Sequence, residues 1–449
     1  MRPISVERLE RPLLFPLADK PEDWRLLKNI ALISEHASPL AAVGGIDSGG
    51  QNVYVAQVAR ALARFGYSVD VFTRRDSAEL PEVGPFAPGV RIVNVPAGPA
   101  AFVRKEDLLP LMGEFCDYVC AFAQANGGYH LSHANFFMSA LAAMKLKERL
   151  GTPYVVTFHA LGRVRRLHQG DADQFPRERL AIEDQTIERA DGIIAECPQD
   201  RVDLTTLYRA DVRRVAVIPC GYDKGELWPI TKAFARRALG LSGEEPILLN
   251  VGRLAPRKGI DNLVRGLGRL ARAHGVMTRL IVVGGNSDLP DPGLTPEIGR
   301  LKAIAAEEGV ERQVCFTGRR SREFLKLYYS AADIFCTTPW YEPFGITPLE
   351  AMACATPVLG ADVGGIRFSV ADGVTGALVP PNDAEAFAAK AADLLADRER
   401  LKEMGRAGLH RVQAQFTWPK VARSVAAFYE EVLGVRAPQR RVRVAAVAA

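Results

Sequence analysis

The sequence predicts an α/β protein built from two doubly wound domains that face each other across a cleft. Two observations carry this prediction. Short β-branched segments alternate with longer amphipathic segments, and the alternation restarts about halfway along the chain. Alternating strands and helices are typical of parallel sheets with helices on both faces. The chain has 449 residues, of which 48% are hydrophobic and 24% charged. This is enough for two or three domains with ordinary cores.

The first series of elements predicts a domain over residues 1–224. Its predicted strands are NIALISEH (29–36), SVDVFTR (68–74), VRIVNVP, YVVTFHA, DGIIAECP and the segment VAVIPCGYD. Between the first two strands, NVYVAQVARALARFG (52–66) predicts an amphipathic helix. We expect that helix to end at Gly66, because glycine often terminates helices.

The second series predicts a domain over residues 225–415 and a final helix over 416–435. Its predicted strands are PILLNVG (246–252), RLIVVGG, QVCFTGR, ADIFCTT, TPVLGA and GALVPP. We expect residues 436–449 to form a flexible tail. Both domains are therefore predicted to be Rossmann-like. In such sheets ligands bind beyond the carboxyl ends of the strands, so functional residues should lie in loops that follow strands.

Composition narrows the class of protein. A net charge of +5 on a long chain is mild and does not indicate nucleic-acid binding. No apolar run reaches about 18 residues, so no membrane-spanning helix is expected, although peripheral membrane contact stays open. The N-terminus lacks a secretory apolar core. The seven cysteines include no Cys-x-x-Cys pair, which favours reduced, buried thiols in the cytoplasm. The expected partners are small molecules, and the sequence does not address oligomeric state.

The loop SPLAAVGGIDSGGQN follows the first predicted strand and leads into a helix. Its glycines would let backbone amides approach a ligand, and a helix N-terminus favours anions. The spacing matches neither the dinucleotide fingerprint nor the P-loop. Gly49 and Gly50, nearest the helix, are the best candidates for contact with a phosphate or a sugar. The alternative is an ordinary flexible loop.

Two further loops carry basic residues. His159 follows a predicted strand in TFHALGRVRR, and Arg165 comes shortly after it. In NVGRLAPRKGID, Arg253 and Lys258 follow a strand directly and could converge on one phosphate group. A structural histidine, a solvated basic face and a surface pair are the respective alternatives.

The stretch WYEPFGITPLEAMACATPV begins at Trp340 and contains two acids. Thr347, Pro348 and Glu350 fit a capping box, with Thr347 as the N-cap. This would give Glu350 a structural role that needs no ligand. Glu342 precedes a proline and is expected to be extended, outside the helix.

The same stretch predicts a phosphate cradle. Gly345, Ile346 and Thr347 would offer backbone amides at a helix N-terminus. A carboxylate beside a diphosphate is electrostatically unfavourable, so Glu342 is expected to contact sugar hydroxyls instead.

A competing signal is the pair Asp171 and Asp173 in GDADQF. Two such aspartates can hold a divalent cation that carries a nucleotide diphosphate. This pair does not directly follow a strand, and lysine and arginine can neutralise a leaving group instead. We therefore predict no metal and no other cofactor.

Taken together, these motifs resemble retaining GT-B glycosyltransferases of glycosyltransferase family 4, over residues 28–433. The resemblance rests on Glu342-x7-Glu350 within EPFGITPLEAMA, and on GRLAPRKG, VIPCGYD and GGIDSGGQNVYV. The segments GGQNVYVAQVARAL and FVRKEDLLP are similar to sucrose-phosphate synthases and sucrose synthases. HASPLAAVGGIDSGGQNVYV and VGGIRFSVADGVTGALVPPND are equally similar to D-inositol-3-phosphate glycosyltransferases.

The resemblance implies a role for each candidate residue. His159, Arg253, Lys258 and Glu342 would be the catalytic residues. The implied donor-binding residues are Gly49, Gly50, Arg253, Lys258, Glu342, Phe344, Gly345, Ile346, Thr347 and Glu350. The implied acceptor-binding residues are Gln51, Lys105, Arg165 and Arg179, with Arg104 beside them. The final helix would cross back onto the first domain.

The implied reaction moves a hexose from a nucleoside diphosphate sugar to a small sugar or polyol with retention, and UDP-glucose is the leading donor. One alternative is transfer of N-acetylglucosamine from its UDP derivative to an inositol phosphate or a glycan. Alternatives from other classes are a non-catalytic sugar-nucleotide sensor and a nicotinamide-dependent oxidoreductase, the latter without its glycine fingerprint. The family often has His-Gly-His or Ser-His in the loop after the fourth strand, where this chain has LSHANFF. That departure leaves the acceptor open.

Overall fold

The computed structural model describes residues 29–40, 49–241 and 245–434. Within these ranges the chain forms two α/β units, one around an eight-stranded sheet and one around a six-stranded sheet. The predicted tail at 436–449 lies outside the described residues, as does the middle of the first glycine-rich loop, 41–48.

The first sheet has the strand order β3-β4-β2-β1-β5-β6-β7-β8. Its strands are β1 (Asn29–Ile33), β2 (Ser68–Arg74), β3 (Val83–Ala87), β4 (Val90–Val95), β5 (Leu131–Asn135), β6 (Tyr154–Thr157), β7 (Gly192–Ala195) and β8 (Val215–Val217). All neighbouring strands are parallel except β3, which runs antiparallel to β4. Sequence reasoning missed β3 because it contains Pro85, and proline is tolerated in a sheet only at edges or bulges.

Helices cover both faces of this sheet. They are α1 (Gly50–Arg64), α2 (Met112–Ala125), α3 (Phe137–Leu150), α4 (Gly162–Gln169), α5 (Glu178–Arg189) and α6 (Pro198–Leu207). The predicted helix at 52–66 is α1, which begins two residues earlier. Gly66, with a φ of 94°, lies just beyond its last turn, as expected for a glycine that ends a helix.

The second sheet is parallel throughout, in the order β11-β10-β9-β12-β13-β14. Its strands are β9 (Ile247–Val251), β10 (Arg279–Val283), β11 (Val314–Gly318), β12 (Ile334–Thr337), β13 (Val358–Ala361) and β14 (Gly376–Val379). The remaining helices are α7 (Lys232–Ala238), α8 (Ile260–His274), α9 (Pro296–Glu307), α10 (Arg322–Ala331), α11 (Ile346–Ala353), α12 (Gly364–Ser369), α13 (Ala384–Ala396), α14 (Arg398–Gln415) and α15 (Trp418–Val432). No helix among the described residues is long and apolar enough to cross a membrane.

The histidine of LSHANFF lies in a strand, not in a loop as expected. His133 is fully buried in β5. Its Nδ1 lies 2.6 Å from the Tyr429 hydroxyl and its Nε2 lies 2.8 Å from Oγ1 of Thr157. Burial lowers the pKa of His133 to about 3, so it is neutral at physiological pH. This residue therefore fastens α15 to the first sheet.

Close packing places α15 against the first unit, where it contacts α1. The amide of Tyr222 donates to the carbonyl of Phe416 at 2.8 Å, where the chain crosses back. Further along α15, a Cβ on Gly192 would lie 2.7 Å from the Phe428 ring and 2.8 Å from Val432. Such distances leave no room for a side chain at Gly192. The helix that follows the second sheet thus completes the core of the first.

We predict that Gly192→Ala will lower the free energy of unfolding by about 1–3 kcal/mol, because an added methyl group overpacks the contact with α15. Urea denaturation followed by circular dichroism measures the change. Gly113→Ala is the matched control, since a Cβ at Gly113 meets nothing within 4 Å. Equal effects of the two substitutions would contradict the packing argument.

Candidate active site

A cavity of about 280 Å³ lies between the two units, at the carboxyl ends of strands from both sheets. This is close to the lower end of the range for small-molecule sites, about 300 Å³. Most of the predicted site residues line it. They are Gly49, Gly50, Gln51, Lys105, His159, Arg165, Arg253, Lys258, Glu342, Phe344, Gly345, Ile346, Thr347 and Glu350. Sequence reasoning therefore located the cavity from motifs on both of its walls.

The N-termini of two helices face each other across this cavity. A Cβ on Gly49, just before α1, would lie 3.6 Å from Nε of Arg253 in the opposite unit. A Cβ on Gly50 would lie 3.6 Å from Cδ1 of Ile346, the first residue of α11. The cleft is thus closed at this point. Two helix N-termini and an arginine together make a region that favours a bound anion.

The predicted capping box is wrong. Helix α11 begins at Ile346, with Gly345 as its N-cap, and no side chain among the described residues caps it. Thr347 is the second helical residue and Pro348 the third. Gly345 has a φ of 84°, a left-handed conformation that glycine adopts without strain. Because no side chain occupies them, the first amides of α11 remain available to a ligand.

Glu350 has structural partners other than the predicted ones. Its carboxylate accepts the Tyr329 hydroxyl at 2.8 Å and an Arg322 N–H at 3.1 Å. The side chain is almost fully buried. Burial opposes the charge of Arg322, but Glu350 and Glu226 outweigh it and raise the pKa of Arg322. The position of the Glu350 carboxylate is therefore fixed by Tyr329 and Arg322, independently of any ligand.

Glu342 and Lys258 form an ion pair in the cavity wall. The sequence alone indicates no protein partner for Glu342, and the structure supplies Lys258; the predicted convergence of Lys258 and Arg253 on a phosphate stays a prediction. Burial lowers the pKa of Lys258 to about 8, although Glu342 opposes the shift. Burial alone would raise the pKa of Glu342, but Lys258 and Arg257 more than compensate and lower it. Both groups are charged at neutral pH.

The backbone around Glu342 is held by two consecutive glycines. The amide of Gly365 donates to the carbonyl of Glu342 at 3.1 Å. A Cβ on Gly364 would lie 2.0 Å from the same carbonyl, and one on Gly365 would lie 2.2 Å from the carbonyl of Phe344. This close backbone packing explains the Gly-Gly pair in VGGIRF. It positions Glu342 outside the helix, as predicted.

His159 occupies a strained position directly beyond β6. Its φ is 57°, which is uncommon for a residue other than glycine. Nδ1 lies 3.0 Å from Oε1 of Glu196, and Nε2 lies 3.0 Å from Oδ1 of Asn135. The Asn135 amide nitrogen donates to two backbone carbonyls at 3.3 Å, which fixes its orientation. Both ring nitrogens of His159 are therefore occupied by side chains of neighbouring strand ends.

His159 belongs to a polar row across four neighbouring strand ends. The row consists of Asn135, His159, Glu196 and Cys220, which follow or end β5, β6, β7 and β8 in sheet order. The Cys220 thiol donates to Oε1 of Glu196 at 3.0 Å. Sequence reasoning missed Glu196. The rule that functional residues follow strands could have found it, since it comes directly after the strand in DGIIAECP.

The predicted acceptor residues do not share one location. Lys105 and Arg165 line the cavity, and Gln51 donates to the Asn135 carbonyl at 3.1 Å. Arg179 lies in the interior, not among the cavity-lining residues. Its guanidinium donates to Glu183 at 2.8 Å and stacks on three phenylalanines. Arg104 likewise does not line the cavity and pairs with acidic neighbours.

The Asp171–Asp173 pair is not arranged as a metal site. Asp173 accepts Nη2 of Arg165 at 2.9 Å. No group of three or more metal-ligating side chains that could hold an ion occurs among the described residues. The structure thus gives Asp173 an arginine partner, and metal independence stays a prediction.

Several basic cavity residues escaped the sequence analysis. They are Arg257, Arg319, Arg320 and Arg322. Arg257 lies 5.5 Å from the centre of the Tyr341 ring. From the first unit, His168 stacks on the same ring at 4.8 Å and Gln169 donates to its hydroxyl. These contacts join the two units beside the cavity.

Comparisons with known proteins give a consistent picture. A glycosyl transferase 4-like domain model matches residues 49–221, and a glycosyl transferases group 1 model matches residues 231–411. A D-inositol 3-phosphate glycosyltransferase from Segniliparus rotundus is 37% identical over 427 residues, covering 93% of this chain and 92% of the relative. One from Actinosynnema mirum is 40% identical over 363 residues, covering 79% and 85%. One family model therefore covers each wall of the cavity.

A solved structure supports the same conclusion for the fold. The sucrose-phosphate synthase from Thermosynechococcus elongatus superposes with a TM-score of 0.83 at 35% identity. The match covers 91% of this chain and 100% of that one. The two-unit architecture around the cavity is thus the GT-B fold, as predicted.

We predict that Tyr329→Phe will lower the free energy of unfolding by about 1–3 kcal/mol, because it leaves the buried Glu350 carboxylate without one donor. Tyr118→Phe is the matched control, since Tyr118 donates to Glu82 in an exposed pair. Urea denaturation of both variants measures the difference. Equal decreases in the free energy of unfolding of the two variants would show that the buried Tyr329–Glu350 hydrogen bond stabilises the fold no more than the exposed one.

Proposed function

Because the chain belongs to the GT-B glycosyltransferases of glycosyltransferase family 4, we propose that it moves a hexose from a nucleoside diphosphate sugar to a small sugar or polyol with retention. The observation that carries this proposal is the convergence of Arg253, Lys258 and the uncapped amides of α11 in one cavity between the two units. These are the groups that stabilise a departing diphosphate. We propose that Glu342, which lies next to them, contacts hydroxyls of the transferred sugar.

The proposed reaction needs no protein nucleophile. The bond between the anomeric carbon and the diphosphate oxygen breaks, and its electron pair leaves with the diphosphate. The acceptor hydroxyl oxygen forms the new bond on the same face, and its proton passes to the departing phosphate oxygen. The protein contributes orientation, exclusion of water and charge stabilisation. The contacts between the two units at Gly49–Arg253 and at Tyr341 suit this task.

The Lys258–Glu342 ion pair suggests how the donor is received. The structure pairs the ammonium of Lys258 with the carboxylate of Glu342. When a diphosphate arrives, Lys258 can turn part of its hydrogen bonding to phosphate, because an ammonium has three donors. Glu342 then has acceptor capacity for sugar hydroxyls. We propose that Lys258 and Glu342 compensate each other in the free protein. When the donor binds, Lys258 would contact its phosphate and Glu342 its sugar hydroxyls.

The proposal also specifies the donor and the chemical class of the acceptor. We propose UDP-glucose as the donor, with no metal required, and UDP-N-acetylglucosamine as the alternative. A phosphorylated acceptor is supported by Lys105 and Arg165 in the cavity wall. The names of the relatives point the same way, since they mention an inositol phosphate and a sucrose phosphate. Arg179 is not part of this acceptor proposal.

A thermal-shift panel of nucleotide sugars tests the proposal, followed by an acceptor screen with the donor that binds best. A bound donor raises the melting temperature by mass action. Sugar phosphates and inositol phosphates form the first acceptor set, with and without a metal chelator. If no nucleotide sugar binds and no sugar is transferred, the proposed function is overturned.

We predict that Lys258→Ala and Glu342→Ala will each lower kcat at least about a hundredfold, on the scale of lost charge-stabilising contacts. Steady-state assays with the accepted donor measure the loss. Lys390→Ala, which removes an exposed lysine paired with Asp393, is the control and should keep the wild-type rate. Rates near normal in either cavity variant would refute these roles.

We also predict that kcat/KM will fall as pH rises through about 8. The pKa of Lys258 is lowered to about 8 in the free protein, and only the ammonium form stabilises the diphosphate. Activity is therefore expected below this pH and lost above it. The alkaline limb of the kcat profile should lie at higher pH than that of kcat/KM, because a bound diphosphate favours the charged form of Lys258.

In Lys258→Arg the alkaline limb should disappear from whatever activity remains, since arginine stays protonated. A pH–rate series with both proteins measures this. An unchanged alkaline limb in Lys258→Arg would assign it to another group.

A further inference from the structure

Glu196 is an acidic residue of the cavity wall that the transfer chemistry above does not use. It follows β7 directly and is 3% exposed, yet it lines the cavity. Its backbone amide donates to Oδ2 of Asp200 at 3.0 Å. The residue is therefore held on a rigid strand end, at the edge of the sheet where ligands bind.

The hydrogen bonds of Glu196 are one-sided. Oε1 meets both Nδ1 of His159 and the thiol of Cys220, each at 3.0 Å. No donor from the described part of the chain bonds Oε2. An ionised carboxylate has capacity for about four hydrogen bonds, so one oxygen of a buried acid remains available at the cavity.

The charge on Glu196 is maintained by its neighbours. Burial alone would raise the pKa of Glu196, but His159 and Cys220 outweigh this effect and lower it. Asp200 behaves in the opposite way, because burial and the nearby Glu196 raise its pKa to about 8. At neutral pH Glu196, in the cavity wall, is therefore ionised, whereas Asp200, behind it, is mostly protonated.

Glu196 faces Glu342 from the opposite wall. Both carboxylates line the same cavity, and the charge of Glu342 acts weakly against ionisation of Glu196. Each has a basic group beside it, His159 on one wall and Lys258 on the other. The space between two such acids is suited to a hydroxyl-rich group on which positive charge develops.

We propose that Glu196 is a catalytic residue, whose free carboxylate oxygen contacts the transferred hexose and stabilises the positive charge at its anomeric carbon in the transition state. This inference rests on the proposed hexosyl transfer. Glu196 forms no covalent bond and exchanges no proton. The carbon–oxygen bond still breaks toward the diphosphate and the acceptor still forms the new bond, as above. The carboxylate stabilises the positive charge that develops on the anomeric carbon after the first bond has begun to break and before the second has formed.

Glu196→Gln tests the proposal because it removes the charge and keeps the shape and the acceptor for His159. Asp200→Asn is the matched control, since Asp200 is already neutral and lies behind the wall. The probes are UDP-glucose for turnover, measured as transfer or as hydrolysis to free glucose, and UDP for binding. If the panel favours another donor, that donor and its nucleoside diphosphate replace them.

The expected result is a fall in kcat of at least about a hundredfold in Glu196→Gln, with the dissociation constant of UDP within about twofold of wild type. UDP lacks the sugar, so its affinity should not report on Glu196. Asp200→Asn should keep the wild-type kcat. A donor deuterated at the anomeric carbon should show a larger kinetic isotope effect in Glu196→Gln, as bond breaking becomes the slow step.

Two results would overturn the proposal. One is a normal kcat in Glu196→Gln. The other is a loss of kcat accompanied by weaker binding of UDP and a lower melting temperature. That result would show that Glu196 only supports His159 structurally. A wild-type protein inactive with every nucleotide sugar would instead refute the proposed function itself, so the two failures are distinguishable.

Discussion

The ion pair between Lys258 and Glu342 is the contact on which the organisation of the cavity depends. It joins two loops that follow the adjacent strands β9 and β12. Both side chains are partly buried, and each compensates the charge of the other. Their mutual compensation allows an ammonium and a carboxylate to stand side by side in the cavity wall. The backbone of Gly364 and Gly365 then fixes the carboxylate beside the first turn of α11.

The opposite wall repeats this arrangement with different chemistry. Glu196 and His159 pair across β6 and β7, and Asn135 and Cys220 extend the row to β5 and β8. The two walls keep their relation because α15 returns to the first sheet, where Tyr429 bonds His133 and Gly192 admits Phe428. A helix at the far end of the chain therefore contributes to the geometry between two sheets.

Much of the fold and part of the site could be predicted because their signals are local. β-branched runs, the glycine after α1 and the motifs around Arg253 and Glu342 each occupy a few consecutive residues. The failures share a physical cause. The proline-containing edge strand β3 is stabilised by its neighbour β4, not by its own pattern. The capping box of α11 fitted the local sequence, but Gly345 begins the helix, and Glu350 found its partners in α10.

The sequence by itself determined that two doubly wound units face each other, that glycine-rich and basic loops follow their strands, and that the segment from Glu342 to Glu350 belongs to the cavity. Only the tertiary structure decided which charges are paired. Glu342 meets Lys258 across 84 residues of chain, and Glu196 joins His159 across 37. The reason is the parallel sheet itself, in which neighbouring strand ends are separated by whole crossover helices. Residues that share one site are therefore distant in sequence and leave no local signature.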